Sequence, residues 1–246
     1  LGHLEMINIG FERIHPIPVL PNSIVVADLL GLDWDSKGNA VKAFKGALKP
    51  LLRKAQKAKC SLCRRMLYDD YAVHLEHFIE KNIHGDYTFE VRNLSLSCGT
   101  CNIKKQAHNK TLNGWVGRRA KRRALNVEKH CPALAVKIPA NAPLPTTPES
   151  YRWVHPYFDQ YSDNIEIQKG WIFIGKSRKG IRTIRAVKLN ALAQIERRAL
   201  MERLEARPGR LSMLVGASAE LNNHRAGHIL QLVAKKLWKR REASGV

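Results

Sequence analysis

Two C-x-x-C pairs, Cys60/Cys63 and Cys98/Cys101, bracket the stretch "YAVHLEHFIEKN", which sets two histidines and two glutamates within a dozen positions. These residue types allow two separate chemistries. Paired C-x-x-C turns direct four sulfurs at one point, the tetrahedral S₄ arrangement that zinc takes in structural sites. A histidine beside a carboxylate, with an amide oxygen within reach, suits hydrolysis of a phosphodiester. A neutral imidazole can deprotonate water near pH 7, and carboxylate and amide oxygens suit Mg²⁺ or Mn²⁺. His77 is the candidate base, and Glu76 and Asn102 are the candidate oxygen ligands.

The cysteines are the scaffold in this scheme. Two matched pairs favour zinc over a disulfide or a redox dithiol, and a site filled by four protein ligands contributes stability and no chemistry. Four thiolates around Zn²⁺ leave a charge near −2, which Lys59, Arg64, Arg65, Lys104 and Lys105 lie close enough in sequence to offset. Cys131 has no partner and reads as an ordinary thiol. Any reactive centre therefore lies between the knuckles. His74, Glu80 and His84 are taken as solvated or supporting residues.

The order "LEHFIEK…NLSLSCGTCNIKK" resembles the HNH endonuclease family, whose active unit is a ββα-metal fold. The matching positions are Glu76–His77, Asn93–Leu94 and Cys98-x-x-Cys101-Asn102-x-x-Lys105, covering about residues 58 to 108. The resemblance implies His77 as general base and Glu76 and Asn102 as ligands of one catalytic divalent ion, Mg²⁺ or Mn²⁺. It further implies Asn93 as the residue that holds the loop and orients His77, Lys105 as a phosphate contact, and a separate structural Zn²⁺ on the four cysteines. The chemistry implied is hydrolysis that leaves a 5′ phosphate and a 3′ hydroxyl. Glu76 stands where aspartate is commoner, and Asn102 where many members carry a third histidine. A non-catalytic zinc module that binds DNA or RNA is the alternative. The later segment "WVHPYFDQYSDNIEI" is similar to bacterial HNH proteins of anti-phage defence systems such as Septu, retron-linked and Zorya systems. That similarity implies a defence effector working with an ATPase or sensor partner.

The charge supports a polyanionic partner. Lys and Arg number 42 against 21 Asp and Glu, a net +21, and each phosphate neutralised by a basic side chain releases condensed counterions. The run "RRAKRR" places Arg118, Arg119, Lys121, Arg122 and Arg123 after the metal-binding segment, with Trp115 beside them. It is the candidate nucleic-acid surface, and double-stranded DNA is the expected substrate. No base-reading motif is visible, so cleavage is expected to tolerate sequence. No apolar run approaches the roughly 20 residues of a membrane span, and no secretory signal is visible. A cytoplasmic location is expected.

The elements that must position these residues follow from the pattern, and together they predict an α+β protein. Residues 1 to 38 read as an arm with a helical turn near "VVADLLG", and "LGHLE" before Met6 reads as a cloning remnant. Val41, Phe44, Leu48, Leu51 and Leu52 have helical spacing over 39–59, with Pro50 expected to bend or divide the helix. The nuclease unit spans 39–131. Five prolines in 132–150 suggest a linker or a wrapping strap, and 151–246 an accessory β-hairpin and helical domain. There "NIEIQKGWIFIGK" and "IRTIRAVKL" alternate like strands, with helices expected over 190–206 and 218–242.

Overall fold

A computed structural model describes residues 7–68, 73–122, 131–139, 141–195 and 198, with two further positions, 231 and 235. Arg123 and nearly all of the expected 218–242 helix lie outside the described residues. The described residues mix α and β elements around two small antiparallel sheets of two strands each. Among the described residues, no helix is long and apolar enough to cross a membrane.

Helix α1 (Asn39–Ala55) buries Val41, Phe44, Leu48 and Leu52, one stripe at helical spacing. Arg53 and Lys54 sit in its last turn, where basic groups complement the helix dipole. The helix is continuous through Pro50, which lies exposed on its outer side. The expected division at that proline does not occur. Directly after α1, Gln56 is buried and does the work of a neighbouring strand. Its amide donates to Leu96 O (2.9 Å) and accepts from Leu96 N (2.7 Å).

Strand β1 (Val73–His77) pairs antiparallel with β2 (Leu94–Cys98), with Glu76 opposite Ser95 and His77 opposite Leu94. All five residues of β2 are buried. The strand passes without a loop into α2 (Gly99–Arg122), so the order is strand, loop, strand, helix. After Gly99, the residues buried on the first half of α2 are Cys101, Asn102, Lys105 and Asn109. That face of the helix is polar yet inside, which is where function is sought.

The proline-rich segment is a strap. Leu134, Ile138 and Leu144 are buried, Ala135 N–H donates to Ser150 O at 2.8 Å, and Tyr87 Oη donates to Ala142 O at 2.7 Å. Beyond it come α3 (Tyr161–Asn164), β3 (Ile165–Gln168), β4 (Ile172–Gly175) and α4 (Arg178–Val187). "NIEIQKGWIFIGK" thus supplies both strands of the second hairpin. "IRTIRAVKL" is helical, not a strand. Its start is set by Ser177, whose side chain accepts from Gly180 N–H as an N-cap (3.0 Å). Thr183, Ala186 and Val187 then face inward at helical spacing. Gly180 is required there, because a Cβ would lie 1.8 Å from Asn164 O.

One hydrophobic cluster joins the two halves. Tyr161 Oη donates to Leu62 O (3.0 Å), Ile14 N–H to Pro156 O (2.8 Å), and Tyr157 Oη lies 2.9 Å from both Val91 O and Leu94 O. His155 and Asp159 are buried in the same region. The His155 ring packs on Phe78, Tyr151 and Phe158 with centroids 4.3, 4.3 and 4.4 Å away. The loop that follows β1 is therefore backed by the second half of the chain.

Candidate metal centre and cleft

The four knuckle cysteines converge. Their Sγ atoms all lie within 4.8 Å of one another, and all four residues are buried. Cys63 Sγ and Cys98 Sγ are 3.9 Å apart. A tetrahedron with Zn–S bonds of about 2.3 Å has edges of about 3.8 Å, so the separation fits four thiolates on one zinc ion. Backbone N–H groups of Cys98 and Cys101 donate to Cys60 Sγ (3.3 Å) and Cys98 Sγ (3.4 Å), as thiolates require. The cluster can hold a structural zinc ion.

Its counter-charge is internal. Arg64 is 1% exposed, with its guanidinium 3.7 Å from the Phe11 ring centroid and 4.0 Å from that of Tyr161. Burial lowers its pKa to about 10, opposed by the nearby Tyr161, Cys60, Glu12 and Cys63 groups, so it stays cationic at neutral pH. A buried cation flanked by two rings, with one guanidinium hydrogen bond among the described residues, to Glu12 O (3.0 Å), is costly unless negative charge lies close. The four cysteines would supply that charge as thiolates on a bound zinc ion.

A cleft of about 780 Å³ opens beside the first sheet, lined by Glu76 and His77 from β1 and by Asn102, Lys105, Gln106 and Asn109 from α2. The three residues singled out for hydrolysis thus line one cleft. His77 is 9% exposed, and its Nε2 lies 3.0 Å from Thr88 O. A carbonyl oxygen only accepts, so Nε2 carries the proton and Nδ1 keeps the lone pair. Burial is the largest influence on the ring. It lowers the pKa to about 4, against the Thr88 hydrogen bond and with help from Lys105, Lys81 and Lys45. The imidazole is neutral at pH 7.

The ring is also held from the side. Trp34 packs edge-on against it, with centroids 4.4 Å apart and planes at 77°. Trp34 in turn meets Phe44 and Phe89, and its carbonyl accepts from Lys45 Nζ (2.5 Å). Asp35 beside it accepts from Lys81 Nζ at 2.7 Å. Trp34 and Asp35 both line the cleft. Sequence reasoning missed this arm contact, because no local pattern links a tryptophan to a histidine 43 positions later.

Asn93 is 1% exposed and holds the loop from inside. Its Oδ1 accepts from Ile79 N–H (2.7 Å), and its Nδ2 donates to Ile79 O (3.1 Å) and Tyr87 O (3.0 Å). These bonds fix both ends of the loop that presents Thr88 O to His77. Asn93 itself makes no hydrogen bond to His77 among the described residues.

Glu76 and Lys105 form a buried ion pair. Lys105 Nζ donates to Glu76 Oε1 and also to His77 O, and the two side chains are only 3% and 9% exposed. Burial pushes the Glu76 carboxyl above its ordinary range, and the Lys105 ammonium partly offsets this. Lys105 is thus seated inside, bracing the candidate ligand. Asn102 Oδ1 accepts from Gln106 Nε2 at 3.0 Å. Asn109, one turn beyond Lys105, is 1% exposed, lines the cleft, and has neither amide atom hydrogen-bonded among the described residues.

The basic run lies elsewhere. At about 100° per residue, Asn102, Lys105, Gln106, Asn109 and Asn113 share one face of α2. Trp115, Arg118, Arg119 and Arg122 lie about 150° around the helix from it, where they line a separate concavity of about 430 Å³. Lys121 is exposed between the two faces. No protein-family model, curated protein or solved structure matches this chain.

Proposed function

We propose that the chain is a metal-dependent endonuclease of the HNH type that hydrolyses phosphodiester bonds of DNA. One observation carries the proposal: Glu76, His77 and Asn102 line a single cleft, with His77 neutral and its Nε2 already engaged. The strand-loop-strand-helix order and the sulfur cluster at its base agree with the family resemblance of the sequence.

The residues have separable tasks. His77 Nδ1 takes a proton from the water that attacks phosphorus, while Nε2–H on Thr88 O keeps the ring oriented and supports the imidazolium that forms. Glu76 and Asn102 would hold the catalytic Mg²⁺ or Mn²⁺. Both offer oxygen donors to the same cleft, with Lys105 bracing one carboxylate oxygen of Glu76. When bound, such an ion neutralises charge on the phosphoryl and departing 3′ oxygens. Asn93 positions the loop and does not touch the reacting atoms. The four cysteines would hold a structural Zn²⁺ that fixes the start of α2. A defence role with an ATPase or sensor partner rests on the similarity of "WVHPYFDQYSDNIEI", whose His155, Tyr157 and Asp159 are core residues here.

The Lys105–Glu76 ion pair favours a second reading, a non-catalytic zinc module, because it already occupies one oxygen of the candidate ligand. End-labelled duplex DNA under single-turnover conditions with Mg²⁺ separates the two. The nuclease reading expects fragments ending in a 5′ phosphate and a 3′ hydroxyl, and a Glu76→Ala variant needing much more metal. Duplex that stays intact, or a Glu76→Ala variant with unchanged metal dependence, would remove the catalytic assignment or Glu76 from it, respectively.

A further inference from the structure

The concavity on the far half of α2 is built from an unusual set. Trp115 is 52% exposed, and Arg118, Arg119 and Arg122 are exposed around it. The Arg119 guanidinium already lies over the indole, 5.5 Å from its centroid. The whole of α2, "GTCNIKKQAHNKTLNGWVGRRAKR", contains no Asp or Glu. No carboxylate three or four positions away can therefore pair with these arginines, the usual partner for a solvated basic helix face. Among the described residues none of the three is in an ion pair. An exposed indole beside three guanidiniums combines a stacking surface with phosphate donors.

The position excludes an extension of the cleft. Arg118 is 16 residues beyond Asn102, about 24 Å along the helix axis, and it faces the other way. A straight duplex seated in the cleft cannot also reach this face. The size of the concavity, about 430 Å³, suits a nucleotide better than a double helix. A base can stack on an indole only when it is not already stacked in a duplex.

We propose that Trp115, Arg118, Arg119 and Arg122 form a second nucleic-acid site on the back of α2, which takes a short single-stranded segment with phosphates on the guanidiniums and a base on the indole. The proposal deepens the nucleic-acid partner in the proposed function and rests on it for that partner class. The site holds a different stretch of nucleic acid from the one in the cleft, such as a displaced strand.

The test is fluorescence anisotropy of a labelled 12-nucleotide oligothymidylate with the full chain, without added Mg²⁺ or Mn²⁺. Trp115→Ala weakens binding about tenfold or more, the usual loss for one stacked base, and Trp115→Phe restores most of it. The triple variant Arg118→Ala/Arg119→Ala/Arg122→Ala lowers the log–log salt slope by about 2, since each phosphate contact on a single strand contributes about 0.7. A charge-matched control on exposed residues elsewhere, Lys42→Ala/Lys54→Ala/Lys57→Ala, stays within about twofold of wild type. A control that loses as much as the arginine variant would reduce the site to net charge and overturn the proposal. So would Trp115→Ala without effect, or a 12-base-pair duplex that binds as tightly and loses as much. Failure of DNA cleavage with these binding effects intact removes the nuclease reading alone. Normal cleavage with none of these effects removes the second site alone.

Discussion

Replacing Lys105 by methionine tests whether this lysine is an interior brace or a surface contact for phosphate. The side chains of Lys105 and Glu76 are 3% and 9% exposed, so the pair belongs to the buried regime, where removing one partner costs about 3–5 kcal/mol. A surface lysine would cost about 0–1 kcal/mol. Protonation caps the loss, because the orphaned Glu76 can become neutral. From the ordinary carboxyl value of 4.5, taking up a proton at pH 7 costs about 2.5 × 1.36, or about 3.4 kcal/mol. The expected loss is therefore about 3 kcal/mol at pH 7 and falls to about 1.4 kcal/mol at pH 5.5, as protonation becomes easier. Urea unfolding followed by far-UV circular dichroism, in buffer without added divalent cation, measures it. The double variant Lys105→Met/Glu76→Gln recovers at least about 2 kcal/mol relative to the sum of the single variants, since it leaves no unpaired charge. A Lys105→Met loss under about 1 kcal/mol, or strictly additive single variants, would refute the buried pair.

Other outcomes follow from the same contacts. Protein purified without chelator carries about one zinc per chain by elemental analysis, and Cys98→Ser lowers that content and the cooperativity of unfolding, because all four sulfurs sit in the core. His155 is fully buried, and burial holds its pKa well below the ordinary 6.5, with Lys179 and Lys105 acting in the same direction. The unfolded chain then binds a proton that the folded chain refuses. Below pH 6.5 this group alone removes up to about 1.4 kcal/mol of stability per pH unit, so His155→Gln shows a correspondingly flatter loss in acid denaturation curves. Gly180→Ala places a methyl group 1.8 Å from Asn164 O and lowers stability by about 3 kcal/mol in thermal melts, near the upper end for overpacking.

The part of the site that depends on short spacing was legible in the sequence. Two C-x-x-C turns are local patterns, and the four sulfurs converge where those turns place them; Glu76 and His77 come at the end of β1 and line the cleft. What depends on tertiary packing was not legible. Lys104 and Lys105 look alike in a basic helix, yet only Lys105 falls on the buried face with Asn102 and Asn109. The basic run at 118–122 follows the cleft residues in sequence but faces away, because helix phase and not proximity decides direction. "IRTIRAVKL" fits both a strand and a helix by its apolar residues. The deciding signal, Ser177 as cap ahead of Gly180, is a start signal for a helix that the alternating pattern hid.

The central claim is that His77 activates water for DNA cleavage, and a plasmid-nicking assay tests it most directly. Supercoiled plasmid is incubated with wild-type protein or His77→Ala over a range of Mg²⁺, Mn²⁺ and salt concentrations, with and without cell extract to supply an activating partner. The account predicts relaxed or linear plasmid with wild type, and a loss of at least about 100-fold in rate for His77→Ala, the usual contribution of a general base. Plasmid left supercoiled by wild type under every condition, or cut equally fast by His77→Ala, would contradict it.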